Sequence, residues 1–225
     1  MKVSVLIPCY NEVNTIELIV HKIRELNNID LEIIVINDHS SDGTEQILKE
    51  RLNNKIDLII NNEENHGKGY CIRKGIKVAK GEIILIQDAD LEYDPSDYYK
   101  ILNPIINNKA DIVYGTRFFG GTERRIHFFW HTYANKLLTF FCNIKTNLNL
   151  SDMECGFKVF KKKCLKEINL TEDRFGFEPE ITIKLARKKF LFYEVGISYY
   201  GRSYEEGKKI GFKDALRAMY VILFK

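Results

Sequence analysis

The feature that most constrains the fold is a regular alternation in the first half of the chain. Short, mainly apolar, β-rich runs occur at residues 3–7, 31–36, 58–60, 83–86 and 112–114. They read as continuous apolar stretches, whereas half-exposed strands would alternate with period two; this is the pattern of strands covered on both faces. Helical segments lie between them. Over residues 12–26, Ile16, Ile19, Val20, Ile23 and Leu26 share one helical face. Asp42-Gly43-Thr44-Glu45 opens a second helix, residues 68–79 form a third, and Pro95-Ser96-Asp97 starts a fourth with proline in its first turn. Strand, helix and strand in repetition predict βαβ units with right-handed crossovers. The expected fold is therefore α/β, an open and mostly parallel sheet flanked by helices.

After Gly115 the pattern changes. Residues 120–125 form a polar, glycine-bearing loop, residues 127–143 an aromatic-rich helix, and shorter elements follow at 157–160, 177–187 and 192–199. No Pro- or Ser-rich linker divides the chain, so one domain over 1–207 is expected, followed by a tail helix over 208–225. At 45% apolar and 29% charged residues the chain is neither disordered nor fibrous. No apolar run reaches the roughly 18–20 residues of a membrane span. The N-terminus enters a strand at once, without the apolar core of a signal peptide. Five scattered cysteines with no CxxC pair read as reduced core thiols of a cytoplasmic protein. The net charge of +3 hides a split: residues 1–116 carry 13 basic and 19 acidic residues, residues 117–225 carry 21 and 12. An acidic, cation-holding half and a basic half facing anions or a membrane are implied. The basic residues are interleaved with acids, which argues against nucleic acid as a partner.

In open α/β sheets ligands bind beyond the carboxyl ends of the strands. There the sequence reads Pro8-Cys9-Tyr10-Asn11-Glu12, Asn37-Asp38-His39-Ser40-Ser41-Asp42, Gln87-Asp88-Ala89-Asp90-Leu91-Glu92 and Gly115-Thr116-Arg117. Asp88 and Asp90 repel each other unless a cation or basic partner intervenes. Mg2+ or Mn2+ suits such a pair, with Glu92 adding a further oxygen; a solvated acidic turn is the alternative. No GxGxxG follows the first strand, and His66-Gly67-Lys68-Gly69-Tyr70 does not fit GxxxxGK[ST], so hydride transfer and P-loop hydrolysis are disfavoured. The Gly-Lys-Gly loop either lets backbone approach a ligand beside Lys68 or simply begins a helix. Tyr10 offers a flat face to a base, and Asp38 an acceptor to a base or ribose.

Together these motifs, followed by Asn135, Asp152-Met153-Glu154-x-Gly156-Phe157-Lys158 and Phe177-Glu178-Pro179-Glu180, resemble the family 2 GT-A glycosyltransferases. The resemblance is nearest to dolichyl-phosphate mannose synthases and polyprenyl-phosphate glucosyltransferases and covers nearly the whole chain. It implies a GT-A catalytic domain over 1–207 that moves a sugar, with inversion, from a UDP- or GDP-sugar to a polyprenyl phosphate. It assigns Pro8, Tyr10, Glu12 and Asp38 to the nucleoside, with Lys68 and Asp88 beside the nucleotide. Asp88, Asp90 and Glu92 fall to the metal and diphosphate, although some relatives carry Gln where this chain has Glu92. Arg117 and Arg202 fall to phosphates, and Asp152 to the neighbourhood of the sugar. Relatives often carry transmembrane helices after the catalytic domain, and this sequence stops before one.

A phosphate acceptor is already anionic and needs no general base, whereas a hydroxyl acceptor does. Asp152 is thus a base, a sugar ligand or a member of an arginine network. In residues 210–225, Phe212, Leu216, Met219 and Leu223 share one face while Lys209, Lys213 and Arg217 line another. That pattern suits an amphipathic C-terminal helix in an anionic membrane interface, or one docked on the domain. Phe128, Phe129, Trp130, Leu137, Leu138, Phe140 and Phe141 form either an acceptor-facing wall or core. A saccharide hydroxyl acceptor and a non-catalytic nucleotide-sugar binder are the rival functions. A nucleotidyltransferase would carry a glycine-rich basic loop where this chain has Pro-Cys-Tyr-Asn-Glu.

Overall fold

In a computed structural model describing residues 1–119, 125, 129–202 and 211–225, each apolar run is a strand. They are β1 (Lys2–Cys9), β2 (Asp30–Asn37), β3 (Leu58–Asn61), β4 (Ile83–Ile86) and β5 (Ile112–Thr116). With β6 (Lys158–Lys161) and β7 (Phe192–Gly196) they form one seven-stranded sheet in the order β3-β2-β1-β4-β6-β5-β7. All pairings are parallel except those of β6, which runs antiparallel to both β4 and β5. This reversal matters for function. Because β6 starts where β4 and β5 end, the segment leading into it crosses the carboxyl edge of the sheet. Lys158 is registered opposite Ile86 on one side and Tyr114 on the other.

The helices are α1 (Ile16–Arg24), α2 (Thr44–Glu50), α3 (Lys68–Val78), α4 (Tyr98–Ile106), α5 (Phe129–Thr146), α6 (Lys162–Lys166), α7 (Phe177–Ala186) and α8 (Phe212–Phe224). The proline start expected for the fourth helix is a 3-10 turn, Pro95–Asp97, capped by the Asp94 side chain on the Ser96 amide. Helices α1, α2 and α4 bury their apolar stripes in a core on one side of the sheet, with Val3, Val5 and Ile7 of β1. Helices α3, α5, α6, α7 and α8 build the other core, which takes Leu6 from the opposite face of β1. Two covered faces explain the unbroken apolar runs. All five cysteines are buried and unbridged. Burial pushes the Cys142 and Cys155 thiols up to about 12 and Cys164 to about 11, so they are core groups.

The tail helix corrects the sequence reading in part. Ala218, Val221 and Ile222 are buried and Met219 is half-buried against the core, so α8 is docked on α5 and α7. Leu216 and Leu223 do face solvent, joined by Tyr220 and Phe224. The helix is apolar on two faces, one of which the domain covers. Arg217, expected to face anionic lipid, is instead engaged at 2.7 Å by Glu172, which also holds Lys225. The aromatic wall divides likewise: Leu138 is buried and Phe141 half-buried, while Phe129, Trp130, Leu137 and Phe140 are exposed. Of the sequence expectations, most of the 120–125 loop, the start of the helix at 127–128 with Phe128, and the 207/208 boundary with Lys209 lie outside the described residues.

Candidate active site

The carboxyl ends of β1, β2, β4 and β5 open on a cavity of about 620 Å³. Pro8, Tyr10, Glu12, Asp38, Lys68, Asp88, Asp90, Glu92, Arg117 and Arg202 all line it; Asp152 does not. The loops that bring them there share a backbone device. Asn11, His39 and Leu91 each adopt the left-handed region, with φ of 50°, 61° and 62°, turning the chain sharply after its strand. Asn11 and the loop after β2 hold each other: the Asn11 amide donates to Ser40 Oγ (2.9 Å) and the Ser41 amide to Asn11 Oδ1 (2.8 Å).

Asp38, buried at the end of β2, organises the next loop. Its carboxylate accepts from Asn62 Nδ2 (2.7 Å), Asn65 Nδ2 (3.0 Å) and the amides of His66 (3.0 Å) and Gly67 (2.6 Å). Four donors fill the acceptor capacity of a carboxylate. In this arrangement Asp38 shapes the loop before α3, and the atoms it holds in place border the cavity.

Lys68, at the start of α3, reaches Asp88 at 2.7 Å and Glu178 at 3.2 Å. Burial works against its charge, yet the two carboxylates outweigh it and hold its pKa above the ordinary lysine value. Glu178, in the first turn of α7, also pairs with fully buried Lys158, whose ammonium donates to the carbonyls of Met153 and Cys155. Gly156 makes this chain of charges possible. A Cβ there would fall against Asp88 Oδ2 and 2.8 Å from Lys68 Nζ. Glu178 and Lys158 stand in the sequence motifs without an assigned role; the available signal was a pair of acids, Glu178 and Glu180, in a helix start whose residues 177–183 are otherwise apolar or small.

Asp90 faces Arg202, which closes over the strand ends: its Nη2 lies 3.1 Å from Asp90 and 3.2 Å from Glu12. Glu92 is occupied differently. Its Oε2 accepts from Tyr199 Oη (2.7 Å) and its Oε1 from the Arg202 amide (2.8 Å), so it ties the 199–202 segment to the acidic loop. Burial, then Asp88 and Glu92, push the Asp90 carboxyl up to about 7 against the pull of Arg202. A divalent cation fits such an excess of hard oxygen charge. Among the described residues no group of three His, Cys, Asp or Glu side chains forms a metal cage. Asp88 and Asp90, paired here with Lys68 and Arg202, are two carboxylates near one strand end, a donor set of the kind that Mg2+ or Mn2+ takes together with phosphate oxygens and water.

Arg117, after β5, is pre-oriented from behind. Asp152 is fully buried and accepts from Arg117 Nε and Nη2, both at 2.7 Å, from the Arg117 amide (3.1 Å) and from Asn135 Nδ2 (3.1 Å). Burial would raise its pKa, but Arg117 holds the carboxyl below the usual range. Of the three roles left open by the sequence, the arginine network is the one whose contacts are present between these side chains. The Arg117 guanidinium also lies 5.1 Å over the Tyr199 ring, a cation–π contact linking it to the Arg202 segment.

Paired carboxylates at one strand end, with cations from three other elements around them, suit binding and charge neutralisation of a diphosphate. The fold carrying them is that of the GT-A glycosyltransferases. It matches the Mycobacterium tuberculosis glucosyl-3-phosphoglycerate synthase crystallised with Mn2+, UDP and glucosyl-3-phosphoglycerate at a TM-score of 0.73, with 16% identity over 99% of this chain and 78% of that one. The mannosyl-3-phosphoglycerate synthase of Rubrobacter xylanophilus matches at 0.73, with 20% identity over 99% and 72%. The chain belongs to glycosyl transferase family 2, whose family model matches residues 4–169. Among curated proteins it is 29% identical to a dolichyl-phosphate beta-glucosyltransferase of Trichomonas vaginalis, over 88% of this chain and 65% of that protein. It is 28% identical to the dolichol-phosphate mannosyltransferase of Pyrococcus furiosus, over 93% and 61%. The chain thus spans less than two thirds of the length of either. No helix among the described residues is long and apolar enough to cross a membrane.

Proposed function

We propose that this protein transfers a hexose, with inversion, from a nucleoside diphosphate sugar to a polyprenyl phosphate at the cytoplasmic face of a membrane. The observation that carries this reading is the two-sided character of the cavity. Acids and cations at the strand ends face a wall from α5 and α8 that includes Trp130, Ala134, Leu138, Ala215 and Ala218. The same two helices present Phe129, Tyr133, Phe140, Leu216, Leu223 and Phe224 to solvent. A phosphate on a long hydrocarbon chain needs both surfaces. The names of the Trichomonas and Pyrococcus relatives support the same acceptor class.

Tyr10 and the loop organised by Asp38 border the place of the nucleoside. Arg117, held by Asp152, and Arg202 stabilise charge developing on the leaving diphosphate. Asp88 and Asp90 would hold Mg2+ or Mn2+, which would add positive charge at the same place. Asp152 acts as a positioning residue for Arg117. No base is required, because a phosphate monoester is ionised near neutral pH.

The test is a donor and acceptor panel. UDP-glucose, UDP-N-acetylglucosamine and GDP-mannose, each labelled in the sugar, are incubated with the protein, Mg2+ or Mn2+, and either polyprenyl phosphate vesicles or free glycans. Label in the lipid phase with one donor is expected. Label only in glycans, or in no product with any donor, would overturn the reading.

A further inference from the structure

The cavity is lined by an acidic side chain that the proposed chemistry does not use. Glu154 lies on the segment leading into β6, between Asp152, which holds Arg117, and Gly156, which abuts Asp88. It shares the cavity wall with Ala134, Asn135 and Leu138 of α5 and Glu178 of α7. Its Oε1 is shut off from solvent and has no hydrogen-bond partner among the described residues. Buried polar atoms in native proteins are nearly always paired, and departures from that rule concentrate at functional sites.

The neighbouring cations are engaged elsewhere: Arg117 with Asp152, Lys158 with Glu178 and two carbonyls, Lys68 with Asp88 and Glu178. Of the charged groups around Glu154, the carboxylate of Glu178 weighs most, ahead of Lys158, Arg117 and Asp152. Burial and Glu178 push the carboxyl up to about 8, so at neutral pH it keeps its proton. It then offers one O–H donor and a carbonyl acceptor. A hydroxyl, which also donates and accepts, is the complementary group.

Resting on the glycosyltransferase reading above, we propose that Glu154 is a sugar-recognition residue. It binds a hydroxyl of the donor's hexose between the diphosphate-binding strand ends and the α5 wall, and so separates a nucleotide sugar from the bare nucleotide.

The test is calorimetric titration of the full chain, with Mg2+, against UDP, GDP, UDP-glucose and GDP-mannose, using wild type, Glu154→Gln and Glu154→Leu. The leucine variant should bind the preferred nucleotide sugar about ten- to a hundredfold more weakly than wild type, with affinity for the matching bare diphosphate unchanged. Glutamine, which keeps a donor and an acceptor, should restore most of the sugar-dependent affinity. The Tm of Glu154→Leu should hold or rise, because an unpaired buried polar atom has been removed. Unchanged nucleotide-sugar affinity in the leucine variant overturns the inference alone. So does a parallel loss of nucleotide sugar, bare diphosphate and Tm, which marks a structural role. A wild type that binds none of the four ligands overturns the glycosyltransferase reading, and this inference with it.

Discussion

Asp152→Asn tests how Arg117 is held. The substitution removes a fully buried carboxylate that meets Arg117 through two side-chain bonds of 2.7 Å and one backbone bond of 3.1 Å. Deleting one member of a buried ion pair costs about 3–5 kcal/mol. Asparagine retains one acceptor oxygen, which places the loss near 3 kcal/mol, or about 6–12 °C in Tm for a domain of this size. The pH dependence follows from the sign of the shift. Because the native carboxyl titrates below its ordinary value of 3.8, its stabilisation is present above the unfolded pKa and is lost as pH falls through the native one. The difference in Tm between wild type and variant should therefore be level from about pH 6 to pH 9 and shrink only below about pH 4. Differential scanning calorimetry measures this, and titration with UDP and GDP in Mg2+ reads the site itself. A displaced Arg117 should weaken the preferred diphosphate and lower kcat/KM together, each about ten- to a hundredfold. Unchanged diphosphate affinity with turnover abolished, and loss of an acid limb in the pH–rate profile, would refute the positioning role and make Asp152 a base.

Gly156→Ala should displace the Asp88–Lys68 pair, since its Cβ would lie 2.8 Å from Lys68 Nζ; Mg2+-dependent diphosphate binding, followed by calorimetry, should fall while the circular dichroism spectrum is kept. Lys158→Met removes a fully buried ammonium from Glu178 and two carbonyls and should cost about 3–5 kcal/mol in urea denaturation; adding Glu178→Gln should recover part of it. Glu154 stays protonated in the native state up to about pH 8, against an ordinary value of 4.5. Stability should accordingly fall as pH rises between those values, at up to roughly 1.4 kcal/mol per pH unit, and Glu154→Gln should lack that slope; parallel stability–pH curves for the two proteins would contradict this. Leu216→Ser/Leu223→Ser/Phe224→Ser, confined to exposed positions of α8, should abolish flotation with anionic vesicles and leave Tm nearly unchanged; retained flotation would remove α8 from the membrane contact.

Much of this protein was legible locally. A parallel strand between two helical layers must be apolar on both sides, so β1, β2, β4 and β5 announce themselves without reference to the rest of the chain. The acidic and polar residues that follow those strands stand out for the same reason, as breaks in an apolar pattern where ligands bind. The C-terminal helix was harder to read. Its two apolar faces look alike in sequence, and only docking on α5 and α7 separates the covered Ala218, Val221 and Ile222 from the exposed Leu216, Leu223 and Phe224.

By itself, then, the sequence determined the α/β architecture, the edge of the sheet where the cavity opens, and most of the polar side chains collected there, because periodicity and strand ends are local properties. Only the tertiary structure decided what those side chains do to one another. Arg202 meets Glu12 across 190 residues, and Arg117 meets Asp152 across 35. Both meetings follow from strand order, and for Arg117 and Asp152 from the reversed insertion of β6 between β4 and β5. Charges acquire partners, and hence pKa values and roles, from neighbours in space. That is why the Asp152–Arg117 pair and the unpaired Oε1 of Glu154 are visible only in the folded chain.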